Sequence, residues 1–202
     1  MRIRSHDMGF VGFAGLSSIS ACSARLLALA LWAAMNMTLD LDAIRRFIAA
    51  QSDGTRIYIG ADSCRVLVNE AWHADYTLVV VVHIDGNRGC KLFGETQRER
   101  DYDQKASKPQ VRLMNEVYKV ADLYLRLAEA IGDRPVEVHL DLNPDPETGS
   151  HCVVQQAIGY IRGVCNVSPR VKPDAFAASC AADRYKELSS HAAKDQKNQK
   201  AA

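Results

Sequence analysis

The run Tyr76 to Ile84 (YTLVVVVHI) is the segment that most restricts what this chain can become. Its β-branched and aromatic residues favour a pleated strand, and at this length it is too short to span a bilayer as a helix. Asp85, Gly86 and Asn87 follow as a turn signal. Gly89 to Phe93 can then return antiparallel. Upstream, Arg56 to Gly60 (RIYIG) reads as another buried strand that delivers a polar tip at Ala61, Asp62 and Ser63. Together these segments predict a meander of three strands.

Downstream the pattern changes period. After Pro109 a long helix is expected to about Ile131, with Val111, Met114, Val117, Tyr118, Ala121, Leu125 and Ala128 near helical spacing and Gly132 closing it. Val136 to Leu142 (VEVHLDL) reads as a fourth strand and Val153 to Val164 as a helix. Arg170 to Lys172 reads as a short fifth strand, and Ala175 to Leu188 as a last helix. A short helix over Thr38 to Ala50, capped by Thr38, precedes the first strand. The polar run Glu95 to Lys108 is expected to be a loop. The order is that of an α/β fold: a mixed five-stranded sheet, three antiparallel strands then parallel ones, with helices on its faces.

Residues 1–37 carry Arg2 and Arg4 before an apolar stretch broken by Arg25, with Ile19 to Cys22 similar to a lipoprotein cleavage box. A polar tether does not follow Cys22, so this segment is expected to be a disordered leader or a mis-assigned start, with Met35 or Met37 as the natural beginning. The folded domain is expected over 38–188, and 189–202 as a polar, disordered tail. The six cysteines form no CxxC pair, which suits reduced thiols in a cytoplasmic protein without a zinc site. With 25 Lys+Arg against 24 Asp+Glu, the net charge of +1 excludes binding nucleic acid through a broad basic field and leaves room for a local groove. No membrane association is expected.

Chemistry is suggested by where acids fall against apolar strands. Asp62 ends the first strand, Asp141 lies at the end of the fourth, and Asp174 sits where the last strand meets the last helix. Singly, each reads as a turn former or helix cap. Jointly, carboxylates at the ends of buried strands are costly unless paired or bound to a cation. If the first and fourth strands are neighbours, Asp62 and Asp141 lie roughly 4.8 Å apart, close enough to share a divalent ion. An all-oxygen ligand set favours Mg²⁺ or Mn²⁺. His139 lies two residues before Asp141 and shares its sheet face, making it a candidate for proton transfer ahead of His151. Ser63 could touch a phosphate, and Cys180 has no histidine expected beside it.

Three segments, Ile57 to Ser63 (IYIGADS), His139 to Pro144 (HLDLNP) and Lys172 to Asp183 (KPDAFAASCAAD), resemble the YkuK-like, ribonuclease H-like family, with the likeness running from Asp53 to Tyr185. That resemblance implies a metal-dependent phosphodiesterase ancestry, with acids on the first strand, the long helix, the fourth strand and the last helix holding two Mg²⁺ or Mn²⁺ ions. Asp62, Asp141 and Asp174 would match the first-strand, fourth-strand and terminal acids. Glu116 is the candidate for the helix acid, with Arg112 one turn earlier in competition for that place. The reading is a nuclease acting on RNA, RNA:DNA hybrid or structured DNA. Its rivals are a non-catalytic module that binds nucleic acid or protein, and a hydrolase of a small phosphorylated metabolite.

Overall fold

The computed structural model describes residues 39–103 and 105–201; the leader and Thr38 lie outside the described residues. The elements are α1 (Leu41–Ala49), β1 (Arg56–Val68), β2 (Ala71–His83), β3 (Cys90–Arg100), α2 (Gln110–Ile131), β4 (Val136–Leu140), α3 (His151–Cys165), one π-helical turn (Ala177–Ala181) and α4 (Ala182–Ala201). Four strands form one mixed sheet in the order β3-β2-β1-β4. β1 pairs antiparallel with β2 and parallel with β4.

The sheet is four-stranded rather than five-stranded. Arg170 makes a single parallel bridge to His139, donating to the Val138 carbonyl at 2.8 Å and accepting from the Leu140 amide at 2.9 Å. The next donor facing β4, Lys172, donates to the Leu142 carbonyl at 3.0 Å, past the end of β4, so the pairing does not continue as a ladder.

The strands of the meander run longer than their apolar cores. β1 continues past Gly60 to Val68 and returns through a two-residue turn at Asn69 and Glu70, both with positive φ. β3 continues to Arg100, so part of the expected Glu95 to Lys108 loop is strand. Polar cross-strand pairs hold this extension: Thr77 with Thr96 at 3.0 Å, and a two-pronged Arg98 to Asp75 pair at 2.6 Å for each contact. α1 is capped by Asp40, which accepts from the Ala43 amide at 2.9 Å.

α2 lies against the sheet through Leu113, Met114, Val117, Val120, Ala121, Leu123, Leu127 and Ile131. The buried stripe is therefore rotated from the one expected. Val111, Tyr118 and Leu125 are exposed, and Tyr118 instead meets Tyr160 of α3 edge to face with ring centroids 4.8 Å apart. The first turn of α2 is capped from a distance. Asp103 accepts from the Val111 and Arg112 amides at 2.9 Å each, and its neighbour Asp101 pairs with Arg65 of β1 at 2.7 Å. This bracket fixes the start of α2 against the far half of β1.

α3 packs beside α2, and the π turn and α4 that follow cross the opposite face of the sheet. A transverse row, His139, Gly60, Val79 and Gly94, runs over β4, β1, β2 and β3. A Cβ on Gly60 would come within 2.7 Å of the Ala178 amide nitrogen, and one on Gly94 within 2.7 Å of the Tyr185 ring. Glycines in this row let the π turn and α4 lie directly on the strands. The segment 189–201, expected to be a tail, continues the α4 backbone as helix. Gly60→Ala should lower the unfolding free energy by about 1–3 kcal/mol, because backbone rather than a flexible side chain meets the new methyl. Urea denaturation measures this, and an unchanged midpoint would contradict the packing described.

Candidate functional site

The pairing of β1 with β4 ends at Ala61 and Leu140. Asp62 and Asp141 are the next residues on each strand, at the fork where the chain of β4 leaves β1. Asp62 is thus in the middle of β1 rather than at its end, and the opening on its β4 side arises because β4 is short. This is the carboxyl end of the parallel pair, where open α/β sheets bind ligands.

Glu116 reaches this fork from α2. Its side chain is 1% exposed, and Ser63 donates to its Oε2 at 2.6 Å. Arg112, one turn earlier, donates to the Ser63 carbonyl at 2.5 Å and to Ser63 Oγ at 2.7 Å. The two helix residues therefore do not compete for one place: Glu116 supplies the carboxyl, and Arg112 ties the helix to the β1 backbone. Ser63 is consumed by these contacts, which leaves its hydroxyl no free proton for a phosphate.

Burial pushes the Glu116 carboxyl up to about 8, and the charges of Asp62 and Asp141 reinforce the shift against the opposing effects of Ser63 and Arg112. Burial also holds Asp141 above the usual carboxylate range, although the Lys172 ammonium lies 3.0 Å from its Oδ2. Two oxygens are left over. Glu116 Oε1 and Asp141 Oδ1 are both buried and accept no hydrogen bond. An acceptor buried without a partner is uncommon, and here two occur at one fork, with the buried donor Arg112 Nε also unpartnered at the same junction.

Asp183, and not Asp174, adjoins the fork. Asp174 is exposed, and among the described residues no hydrogen bond or ion pair links its side chain to the fork. Asp183, in the first turn of α4, lies close enough for its charge to raise Asp141, and it shares the Lys186 ammonium with Asp62. Lys186 donates to Asp183 Oδ1 at 3.0 Å and makes a very short contact with Asp62 Oδ2. Desolvation works against the Lys186 ammonium, but its bonds to Asp62 and Asp183 prevail and hold it above its ordinary value. Asp183 closes the KPDAFAASCAAD segment, and its i,i+3 spacing to Lys186 was the signal available in the sequence.

His139 is placed for structure rather than for proton transfer. It is 1% exposed, its Nδ1 accepts from the Ala177 amide at 3.0 Å, and its Nε2 lies 3.4 Å from Glu137. Tyr58 and Phe176 pack on the ring at centroid distances of 5.5 and 4.9 Å. Burial keeps it below the usual histidine range, hence neutral, and it anchors the π turn to the sheet. His151 is exposed, and its Nδ1 lies 2.8 Å from the Pro144 carbonyl. Cys180 is also exposed, with Ser179 as its hydrogen-bond neighbour.

A four-stranded mixed sheet with helices on both faces, and acids converging where β1 and β4 part, defines the ribonuclease H-like class of α/β proteins. A family model described as ribonuclease H-like matches residues 41–187, and the chain belongs to that family, in agreement with the YkuK-like resemblance of its motifs. No curated protein and no solved structure matches the chain.

The raised Glu116 carboxyl has a measurable consequence for stability in the absence of divalent ions. In the unfolded chain Glu116 ionises near its ordinary value of 4.5, whereas in the fold it keeps its proton to about 8. Between those values the unfolded state releases a proton that the native state retains, so the contribution is full below about 4.5, declines with rising pH and is exhausted above about 8. Urea midpoints in chelator should therefore fall from pH 5 to pH 8, and Glu116→Gln should flatten that fall. Equal slopes in the two proteins would contradict the assignment.

Proposed function

We propose that the protein is a divalent-cation-dependent phosphodiesterase acting on nucleic acid, with Asp62, Asp141, Glu116 and Asp183 as its acidic centre. The observation that carries this reading is the pair of buried, unpartnered oxygens, Glu116 Oε1 and Asp141 Oδ1, beside Asp62. Carboxylate oxygens are hard donors, which suits Mg²⁺ or Mn²⁺. Asp141 and Glu116 would be the principal ligands, with Asp62 and Asp183 adjoining. When bound, such an ion polarises a scissile phosphodiester and lowers the pKa of an attacking water.

The remaining roles belong to the chain itself. Glu116 must release its proton to ligate, and its position against Ser63 and Arg112 holds the carboxylate in one rotamer. Lys172, paired to Asp141 and partly exposed, lines an open groove with Asn143, Pro144, Asp145 and Pro173. An ammonium on the rim of an open groove suits a phosphate of an extended polymer better than an enclosed small metabolite.

The non-catalytic reading has its own support. Among the described residues no group of three or more His, Cys, Asp or Glu stands in ligating geometry, and the lysines already neutralise much of the acidic charge. A protein of this kind would bind nucleic acid without cutting it. Labelled RNA, RNA:DNA hybrid and structured DNA, incubated with the full chain and Mn²⁺ or Mg²⁺, separate the two. Cleavage that stops in chelator and falls by about 100-fold or more in Asp62→Asn and in Asp141→Asn is the expected result. Binding of these substrates without cleavage would replace the enzyme with the binding module. Cleavage undiminished in both variants would remove the site.

A further inference from the structure

The four acids of the fork are not equally free. Glu116 Oε1 and Asp141 Oδ1 are buried without partners. Asp62 Oδ2 and Asp183 Oδ1 instead grip the same ammonium, that of Lys186. Lys186 and Asp183 lie three residues apart on α4, so the helix itself holds the lysine over the acid. The Lys186 side chain is 31% exposed and that of Asp62 21%, so their contact is partly shielded from solvent. Asp62 and Asp183 thus share one ammonium, whereas Asp141, although Lys172 lies 3.0 Å from its Oδ2, and Glu116 each keep one buried oxygen without a partner.

We propose that Lys186 stands in for a second metal, so that the site takes one divalent cation, on Glu116 and Asp141, while the Lys186 ammonium bridges Asp62 and Asp183. The inference rests on the metal-dependent reading above and specifies its stoichiometry.

Charge balance supports this arrangement. Four ionised carboxylates carry four negative charges, and Lys172, Lys186 and Arg112 contribute three positive charges at the same place. One divalent ion leaves the site at a net charge of +1, whereas two would leave +3 in a partly buried region, where uncompensated charge is costly. The lysine also differs from a metal in what it can do. An ammonium orients and neutralises a phosphate oxygen as a hydrogen-bonding point charge, but it does not activate a water as a metal does. Lys186 is therefore a positioning group facing the half of the site that lacks the ion.

The test is a count of bound Mn²⁺ per full-length chain, by calorimetric titration and by the electron paramagnetic resonance signal of free Mn²⁺. One ion is expected in the wild-type chain. Lys186→Met should admit a second ion, and Lys186→Arg, which keeps the charge, should hold the count at one. Lys186→Gln gives a second neutral replacement, and circular dichroism verifies that each variant is folded. Two ions in the wild-type chain would overturn the role of Lys186, as would a count of one in folded neutral variants. Either result leaves a metal-dependent site standing. No ion bound by any of the proteins would overturn the metal-dependent reading as well.

Discussion

The contact on which the site depends is the 2.6 Å hydrogen bond from Ser63 to the buried carboxyl of Glu116. It joins the centre of α2 to the point on β1 where β4 departs, and Arg112 closes the same junction from one turn earlier. A carboxyl this deeply buried is tolerated in either of two states. It can keep its proton, which the shift to about 8 describes, or it can ionise against a cation. The neighbouring Asp141, also raised and also with an unpartnered oxygen, belongs to the same choice. The proposed function places its chemistry at this local conflict, the kind of place where catalytic or binding groups are held.

The opposite face of the sheet supplies the other half of the cluster. Gly60 and Gly94 clear a path across the strands, and His139 fixes the entering chain by accepting from Ala177. The π turn then passes into α4, which carries Asp183 and Lys186 to Asp62. One face therefore delivers a carboxyl from α2 and the other a carboxyl and an ammonium from α4. The two meet only because β4 is short enough to open the sheet at Asp62. Shortening or lengthening of that strand would alter the site more than most substitutions within it.

Much of the architecture was legible in the sequence because it is local. The apolar run of β2, the turn at Asp85 to Asn87 and the extent of α2 are properties of contiguous residues; α2 spans its expected residues, while β2 begins earlier, at Ala71, and the buried stripe of α2 is rotated. Asp62 and Asp141 were legible as a pair because strand adjacency alone brings them together. The parts that were missed depend on distant partners. The outer half of β3 is polar and becomes strand only through its pairs with β2. Arg170 does not begin a fifth strand because the next donor, Lys172, turns to the Leu142 carbonyl beyond the end of β4. Asp174 and Asp183 lie on one motif, and which of them adjoins the fork depends on how the π turn sets the phase of α4. Sheet-face alternation makes His139 a catalytic candidate, whereas the packing of Tyr58 and Phe176 encloses it.

The central proposal is that Glu116, which burial holds protonated at neutral pH, gives up its proton when a divalent ion binds. Calorimetric titration of Mn²⁺ at pH 7 in buffers of different ionisation enthalpy measures the protons released on binding. With Glu116 at about 8, release should approach about one proton per ion bound, and it should vanish in Glu116→Gln. Binding heats that do not depend on the buffer, or a release unchanged by that substitution, would contradict the account.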